Sequence, residues 1–420
     1  MPSQLVYRVG IGAFFALAYF STKAQTAFSL QKALQTARLN NRLLMSQKLN
    51  IGLAEGDLIS ARLRPDPILN NQTLQLMKST HFFPGTEWNS NQNRQVWWQL
   101  TKPFQVAGQR KHKIETAQNT ALMTQSEYQE TERNLFLEVA NKWIDVWAAY
   151  QELEILKQAK KNIDTLAIIN SLRLKNQVIQ QTDLLRTELL AKQYDVRLKT
   201  SAVEAMTQHY QLKYLLGITD SIRVDTSDYF IRRDIPPLDS LTKQALKNRS
   251  DIRAALAQIE TAESNIKWQK SLAYPVPELG IIWNPQNSVP YFGFFGTVKL
   301  PLFDRNQGEI SKAKIAKQQA AFQLSAQQLQ VKTEIMSAYA ALRVQQENFL
   351  KLSDMLAQSK IILSNVRYAY LKGGTTIVDF LEAQRGWLDM QTQYYEMAKM
   401  YRQKFIELFY AAQLLNQLAQ

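Results

Sequence analysis

Cysteine is absent from the 420 residues. That absence excludes disulfide frameworks, thiol catalysis and cysteine-ligated zinc or iron–sulfur centres. It also excludes a lipid anchor on an N-terminal cysteine. The three histidines, His81, His112 and His209, stand too far apart in sequence to suggest a His-rich metal site. No resident metal and no cofactor is expected. Past the first twenty residues, no apolar run reaches the ~18 residues that a membrane-spanning helix needs. No phosphate-binding glycine loop, nucleophile elbow or HExxH helix occurs, so the chain is not expected to be an enzyme. Proline and glycine are scarce and unevenly placed. Neither occurs from Gln109 to Leu216 or from Glu309 to Lys372, and no proline follows Pro301. Since both residues punctuate structure, the empty stretches predict very long helices. The clusters Pro65 to Pro103 and Pro275 to Pro301 predict two non-helical inserts.

What is present begins with a leader. Met1 to Thr26 has a basic Arg8, an apolar stretch Val9 to Phe20 and a small-residue cleavage site at Thr22-Lys23-Ala24. This is the layout of an export signal, so residues 1–24 are expected to be removed; a buried first helix is the alternative. The net charge of +14 permits an anionic partner. Export argues against nucleic acid, and the Arg110-Lys111-His112-Lys113 run reads as a solvated helix start.

The chain is written twice. At a shift of 196, Leu135, Val139, Trp143, Val146, Leu153 and Leu156 fall on Val331, Ile335, Tyr339, Leu342, Phe349 and Leu352, and Asp183 falls on Asp379. Nearer the N-terminus, at a shift of 208, Ala37, Ile51 and Glu55 meet Ala245, Ile259 and Glu263. Such self-similarity marks an internal repeat. Residues 25–217 form the first repeat and 238–412 the second. Residues 218–237 join them, and 413–420 are a tail. Each repeat predicts a helix (Leu30 to Leu63; Leu238 to Leu272) and then a strand pair. A helix of ~100 Å follows, then a break at 175–182 or 370–378, then a last helix. The apolar spacing of the long helices averages close to 3.5, the period of coiled-coil packing.

The strands are expected at about 66–78, 95–104, 278–285 and 291–301. Val96, Trp98 and Leu100 alternate with Gln95, Gln99 and Thr101, with Trp97 as the exception; Phe292, Phe294, Val298 and Leu300 repeat the pattern. Period two with one apolar face means strands. Their length and flanking aromatics suit a transmembrane barrel. Four strands leave two edges unpaired in lipid, so the chain must oligomerise if they span a membrane. Three copies would give a 12-stranded barrel.

With these parts in place the sequence resembles the TolC family of outer-membrane efflux proteins. The pieces that carry the resemblance are Ser29-Leu-Gln-Lys-Ala-Leu with Ala37 and Asn40-Asn41, the run Leu300-Pro-Leu-Phe-Asp-Arg-Asn-Gln-Gly308, and Gly373-Gly-Thr-Thr-Ile-Val-Asp-Phe-Leu-Glu-Ala383. The second piece is similar to the branch serving heavy-metal efflux. The resemblance implies a mainly helical homotrimer: a short β-barrel in outer-membrane lipid over a helical tunnel in the periplasm. It implies a passive conduit for heavy-metal cations, docked to a periplasmic adaptor and an inner-membrane RND-type transporter. Drug efflux or type I secretion would use the same fold; a periplasmic coiled-coil scaffold is the alternative of another class.

The resemblance also assigns site residues. Family tips carry a glycine that meets the adaptor; Gly373 matches it, with Gly374 and Lys372 beside it, whereas Gln177 stands at that place in the first tip. The family gate ties a tyrosine and an arginine of the second tip to a Thr-Asp pair of the first. Tyr370, Thr182 and Asp183 match those roles, and Thr375 replaces the arginine. Asp379 and Glu382 share a helical face at i, i+3, and the resemblance places them at the tunnel entrance. In a trimer they would form acidic rings that concentrate cations; pairing of Glu382 with Arg385 on a solvated surface is the alternative.

Overall fold

The stretches without proline and glycine fold as single helices. A computed structural model describes residues 27–220, 222–225, 235–285 and 289–418; the expected leader lies outside the described residues. Helix α3 (Gln109–Lys175) has 67 residues and α7 (Gln307–Lys372) has 66. Each turns at a tip into a shorter antiparallel helix, α4 (Gln181–Leu216) or α8 (Ile377–Ala411). None of the described helices is apolar enough to cross a membrane.

The first helix expected in each repeat is broken in two. The first repeat has α1 (Leu30–Asn40) and α2 (Arg42–Arg62); the second has α5 (Leu238–Asn248) and α6 (Ser250–Leu272). The breaks fall at Asn41 and Arg249, both in extended conformation, and serve one purpose. Asn41 caps α2 by accepting from Leu44 N at 2.9 Å, and its Nδ2 donates to the Leu215 carbonyl at the end of α4 at 2.9 Å. Arg249 begins α6 and donates Nη1 to the Ala411 carbonyl at the end of α8 at 3.1 Å. Helix-terminal carbonyls that lack intrahelical partners are thereby satisfied. Gly217 follows α4 with φ +67°, and a Cβ there would lie 2.3 Å from the Asn40 carbonyl oxygen, so only glycine fits. Thus α4 stacks end-on beneath α2, and α8 beneath α6.

The layers follow from these joints. At one end lies an antiparallel sheet in the order β2 (Ile68–Gln75), β3 (Arg94–Pro103), β5 (Glu278–Asn284), β6 (Tyr291–Thr297). Next to it the helices neighbour one another as α2, α3, α6, α7, and towards the tips as α4, α3, α8, α7. Near the sheet and towards the tips the chain is an open layer four elements wide; between them α1 and α9 pack on α3, and α5 on α7. The expected segment 218–237 contributes β4 (Arg223–Val224), which pairs in parallel with β1 (Ala27–Phe28). Ile222 and Val224 join a core that also takes in Trp143, Phe405 and the short α9 (Leu415–Leu418).

Strand register gives the sheet two unlike faces. One face carries the row Trp98, Trp283, Phe292 and, two residues on, Leu69, Leu100, Ile281, Phe294. The other is mixed: it carries Gln72, Gln95, Gln99, Thr101 and Thr297 together with Ile68, Leu74, Trp97, Ile282 and Phe295. On the helices, Val331, Ile335 and Leu342 are buried as the spacing required.

At mid-length two arginines, each about 1% exposed, bind the repeats together. Arg133 on α3 is bidentate to Glu130 at 2.7 and 2.9 Å and lies 3.9 Å above the Tyr410 ring. Arg249 is bidentate to Asp251 at 2.6 and 3.1 Å and reaches Glu334 on α7 at 2.7 Å. Ser250 donates to Glu130 and Gln327 to Asp251, closing the network. Burial alone would raise the Asp251 pKa; the bonds from Arg249 and the nearby Arg133 charge outweigh it and hold the carboxyl below its ordinary value. A depressed carboxylate stabilises the fold above its unfolded pKa, about 3.9, and that contribution is lost as pH falls through the lower native value. Removing one partner strands the others. Arg249→Ala is therefore expected to cost about 3 kcal/mol in thermal or urea unfolding, and to flatten the acid limb of the stability profile. A loss within ~0.5 kcal/mol, typical of an exposed site, would contradict the account.

Candidate functional site at the helical tips

The two tips are the same turn written twice. In the second, Gly373 ends α7 with φ +81°; its N–H donates to Tyr370 O at 3.1 Å and that of Gly374 to Ala369 O at 2.8 Å. In the first, Gln177 takes φ +56°, with Gln177 N to Leu174 O and Val178 N to Arg173 O, both 2.9 Å. The same chain reversal is thus made with a side chain in left-handed conformation, which costs about 1 kcal/mol relative to glycine. Each following helix opens with a capping box: Gln180 with Asp183, and Thr376 with Asp379. Lys372 is the exposed last residue of α7, its Nζ 5.9 Å from the Tyr368 ring.

Asp379 is engaged by its own turn. Its carboxylate accepts from Thr376 Oγ1 and Thr375 Oγ1, both at 2.7 Å, and from the Thr376 N–H at 3.2 Å. These bonds, the Thr376 hydroxyl first, hold its pKa below the usual carboxylate value. Thr375, at the expected arginine position, is a cap partner. Glu382 is exposed one turn on and makes no ion pair among the described residues, with Arg385 or otherwise.

The expected tie from Tyr370 to Thr182 and Asp183 is not made within the chain. Asp183 folds back on its cap, and Thr182 reaches only Gln180 Oε1 at 3.5 Å. Tyr370 instead lies in the buried seam, facing α3. Its hydroxyl donates to Asn170 Oδ1 at 2.7 Å, Asn170 Nδ2 donates to Thr187 Oγ1 at 2.9 Å, and Thr187 donates to Asp183 O at 2.9 Å. Asn170 and Thr187 are fully buried. Tyr370 stacks on Phe380 at 5.3 Å, and Arg173 crosses from the first tip with its guanidinium 4.8 Å from the Tyr370 ring and Nη2 on Leu371 O at 3.2 Å. An arginine and a tyrosine do join the tips, but the arginine comes from the first. Asn170, Arg173 and Thr187 were not singled out from the sequence. Asn170 had left a trace: it continues the apolar series Ala159, Ile163, Leu166 as its one polar member.

A duplicated hairpin of ~100 Å helices under a four-stranded sheet with one face the more apolar defines the fold of an outer-membrane channel protomer. The chain matches the outer membrane efflux protein family over residues 33–217 and 241–412, and it belongs to that family. It is 19% identical over 378 residues to the cobalt-zinc-cadmium resistance protein CzcC of Cupriavidus metallidurans, covering 89% of this chain and 87% of that protein. Among solved structures it is similar to CusC, with a TM-score of 0.77, 18% identity and 91% of each chain covered. It is also similar to VceC of Vibrio cholerae, with a TM-score of 0.72, 17% identity and coverage of 91% of this chain and 95% of that one. At these identities the structures speak for the fold. The protein is an efflux channel of the outer membrane, with its helical tunnel in the periplasm.

Proposed function

We propose that this chain is one third of a passive conduit that carries heavy-metal cations from a tripartite pump to the exterior. Its partners would be a periplasmic adaptor and an RND-type inner-membrane transporter; the chain itself would catalyse nothing. The observation that carries the trimer is the pair of open edges. On α7, Ile315, Phe322, Leu329, Met336 and Leu350 are exposed and fall on one heptad position; on α4, Leu189, Val196, Val203 and Tyr210 do the same. Apolar stripes of this length mark an interface. Counted from the tip, Val203 and Leu350 are equally deep; counted from the sheet, so nearly are Leu53 of α2 and Ile315. The α7 edge of one copy therefore fits the α2–α4 edge of the next, in the same sense as β6 against β2. The cargo reading rests on the resemblance to a cobalt-zinc-cadmium resistance protein.

At the tips, the Tyr370–Asn170–Thr187 chain and Arg173 would form the latch of the closed state, with Thr182, Asp183 and Thr375 outside it. Gln177, Lys372, Gly373 and Gly374 would present the turns to the adaptor. Glu382, which makes no ion pair among the described residues, would supply the more accessible acidic ring; Asp379 stays anionic, but its carboxylate is turned to Thr375 and Thr376.

Three experiments test this reading. The cysteine-free background makes cross-linking clean: the double variants V203C/L350C and L53C/I315C are expected to give a ladder ending at three copies on oxidation. No ladder, or one ending elsewhere, contradicts the trimer. In planar bilayers, Asn170→Ala is expected to raise the closed-state conductance several-fold, and Glu382→Gln to lower cation selectivity more than Asp379→Asn. Unchanged currents in both would remove the latch and the ring. Deleting the gene should sensitise cells to cobalt, zinc, cadmium or copper; sensitivity to drugs alone would reassign the cargo.

A further inference from the structure

The excess positive charge gathers at the junction of sheet and helices. Arg62 ends α2, Lys111 lies in the first turn of α3, Lys270 in the last turn of α6 and Lys314 about two turns into α7, while Arg64 and Arg305 lie in the adjoining segments. Hydrogen bonds set these ends at one level: Arg110 Nη2 donates to Arg62 O at 2.7 Å, Gln109 Nε2 to Tyr274 O at 2.9 Å, and Asn306 Nδ2 to Gln269 O at 2.8 Å. Of the carboxylates in this zone, Glu115 and Glu263 are bound to Lys267 and Lys317 at 3.0 Å each, and Glu309 to Lys312 at 2.7 Å; Asp66, Glu278 and Asp304 make no ion pair among the described residues and leave the cations in excess. The six cations are exposed, and among the described residues none has a carboxylate within ion-pair distance.

Arg62 and Lys270 suit the negative ends of α2 and α6, but the charges at the start of α3 do not serve that helix. The first turn of α3 holds no acidic residue, although its dipole there favours anions and disfavours Arg110 and Lys111. A ledge of exposed apolar side chains adjoins them on the sheet side: Phe104, Leu300, Leu302 and Phe303, the last 93% exposed. Cations bordering an apolar ledge reproduce the polarity of a membrane interface, where long basic side chains reach headgroups while their stems lie on hydrocarbon. The helical body is periplasmic, so this junction meets the periplasm-facing leaflet.

We propose that this belt binds the headgroups of anionic phospholipids, fixing the depth and tilt of the channel in the membrane. The proposal rests on the outer-membrane placement of the sheet. A basic residue at a membrane surface is worth about 1 kcal/mol, roughly fivefold in affinity.

The test is native mass spectrometry of the purified protein with added phosphatidylglycerol or phosphatidylcholine of matched acyl chains. The wild type is expected to retain phosphatidylglycerol at least ~5-fold better. The preference should fall towards parity in a variant carrying Arg64→Gln, Lys111→Gln, Lys270→Gln and Lys314→Gln. It should survive when the same lysines become arginine. Equal retention of both lipids by the wild type, or an unchanged preference in the glutamine variant, overturns the belt while leaving the channel standing. A protein that fractionates as soluble and binds neither lipid overturns both.

Discussion

A strand in hydrocarbon cannot leave its edge unpaired, because each stranded amide or carbonyl costs several kcal/mol where no water can reach it. This chain places two such edges, β2 and β6, at opposite sides of a four-stranded sheet. The same openness runs the whole length of the molecule. Below β2 stand α2 and α4, and below β6 stands α7, each edge with apolar residues facing outward. The two margins of the chain differ, so in the proposed ring copies would join head to tail. A heterologous contact of this kind closes into a ring only when the rotation per copy divides the circle.

Within the protomer, continuity along each column replaces a globular core. Two long helices run unbroken, and each of the other columns is assembled from helices stacked end to end. Asn41 and Arg249 occupy matching places in the two repeats and solve one problem with different chemistry. Asparagine caps locally with one short side chain; arginine reaches further and binds three elements through Asp251, Glu334 and the Ala411 carbonyl. The tips show the same divergence. Gln177 and Gly373 make one turn with and without a side chain, so three copies would present alternating, unequal turns to whatever docks beneath them.

Much of the architecture could be read from the chain. Long helices followed from missing proline and glycine, since nothing in those stretches can stop hydrogen bonding from residue to residue. The strands followed from alternation, because period two puts every second side chain on one face. Duplication predicted equal hairpins, and the αL turn at Gln177 stands where the repeat aligns it with Gly373. The breaks at Asn41 and Arg249 were not legible, because each lies in sequence that is otherwise a good helix. They arise from the arrival of α4 and α8, elements about 170 and 160 residues away, whose terminal carbonyls need donors.

The tip contacts divide in the same way. The sequence by itself determined that Tyr370 would lie near a turn, that Asp183 and Asp379 would begin helices, and that the turns would reverse the chain. Those are local facts, set by backbone preference and capping. Which groups Tyr370 meets was decided by the rotation of α3 against α7 and α8. That rotation follows from packing along the whole seam, and it turns Asn170 inward and Asp183 back to its cap. A hydrogen bond is selected by angles and tenths of an ångström; spacing along a helix fixes a face, and only the packed structure fixes what that face touches.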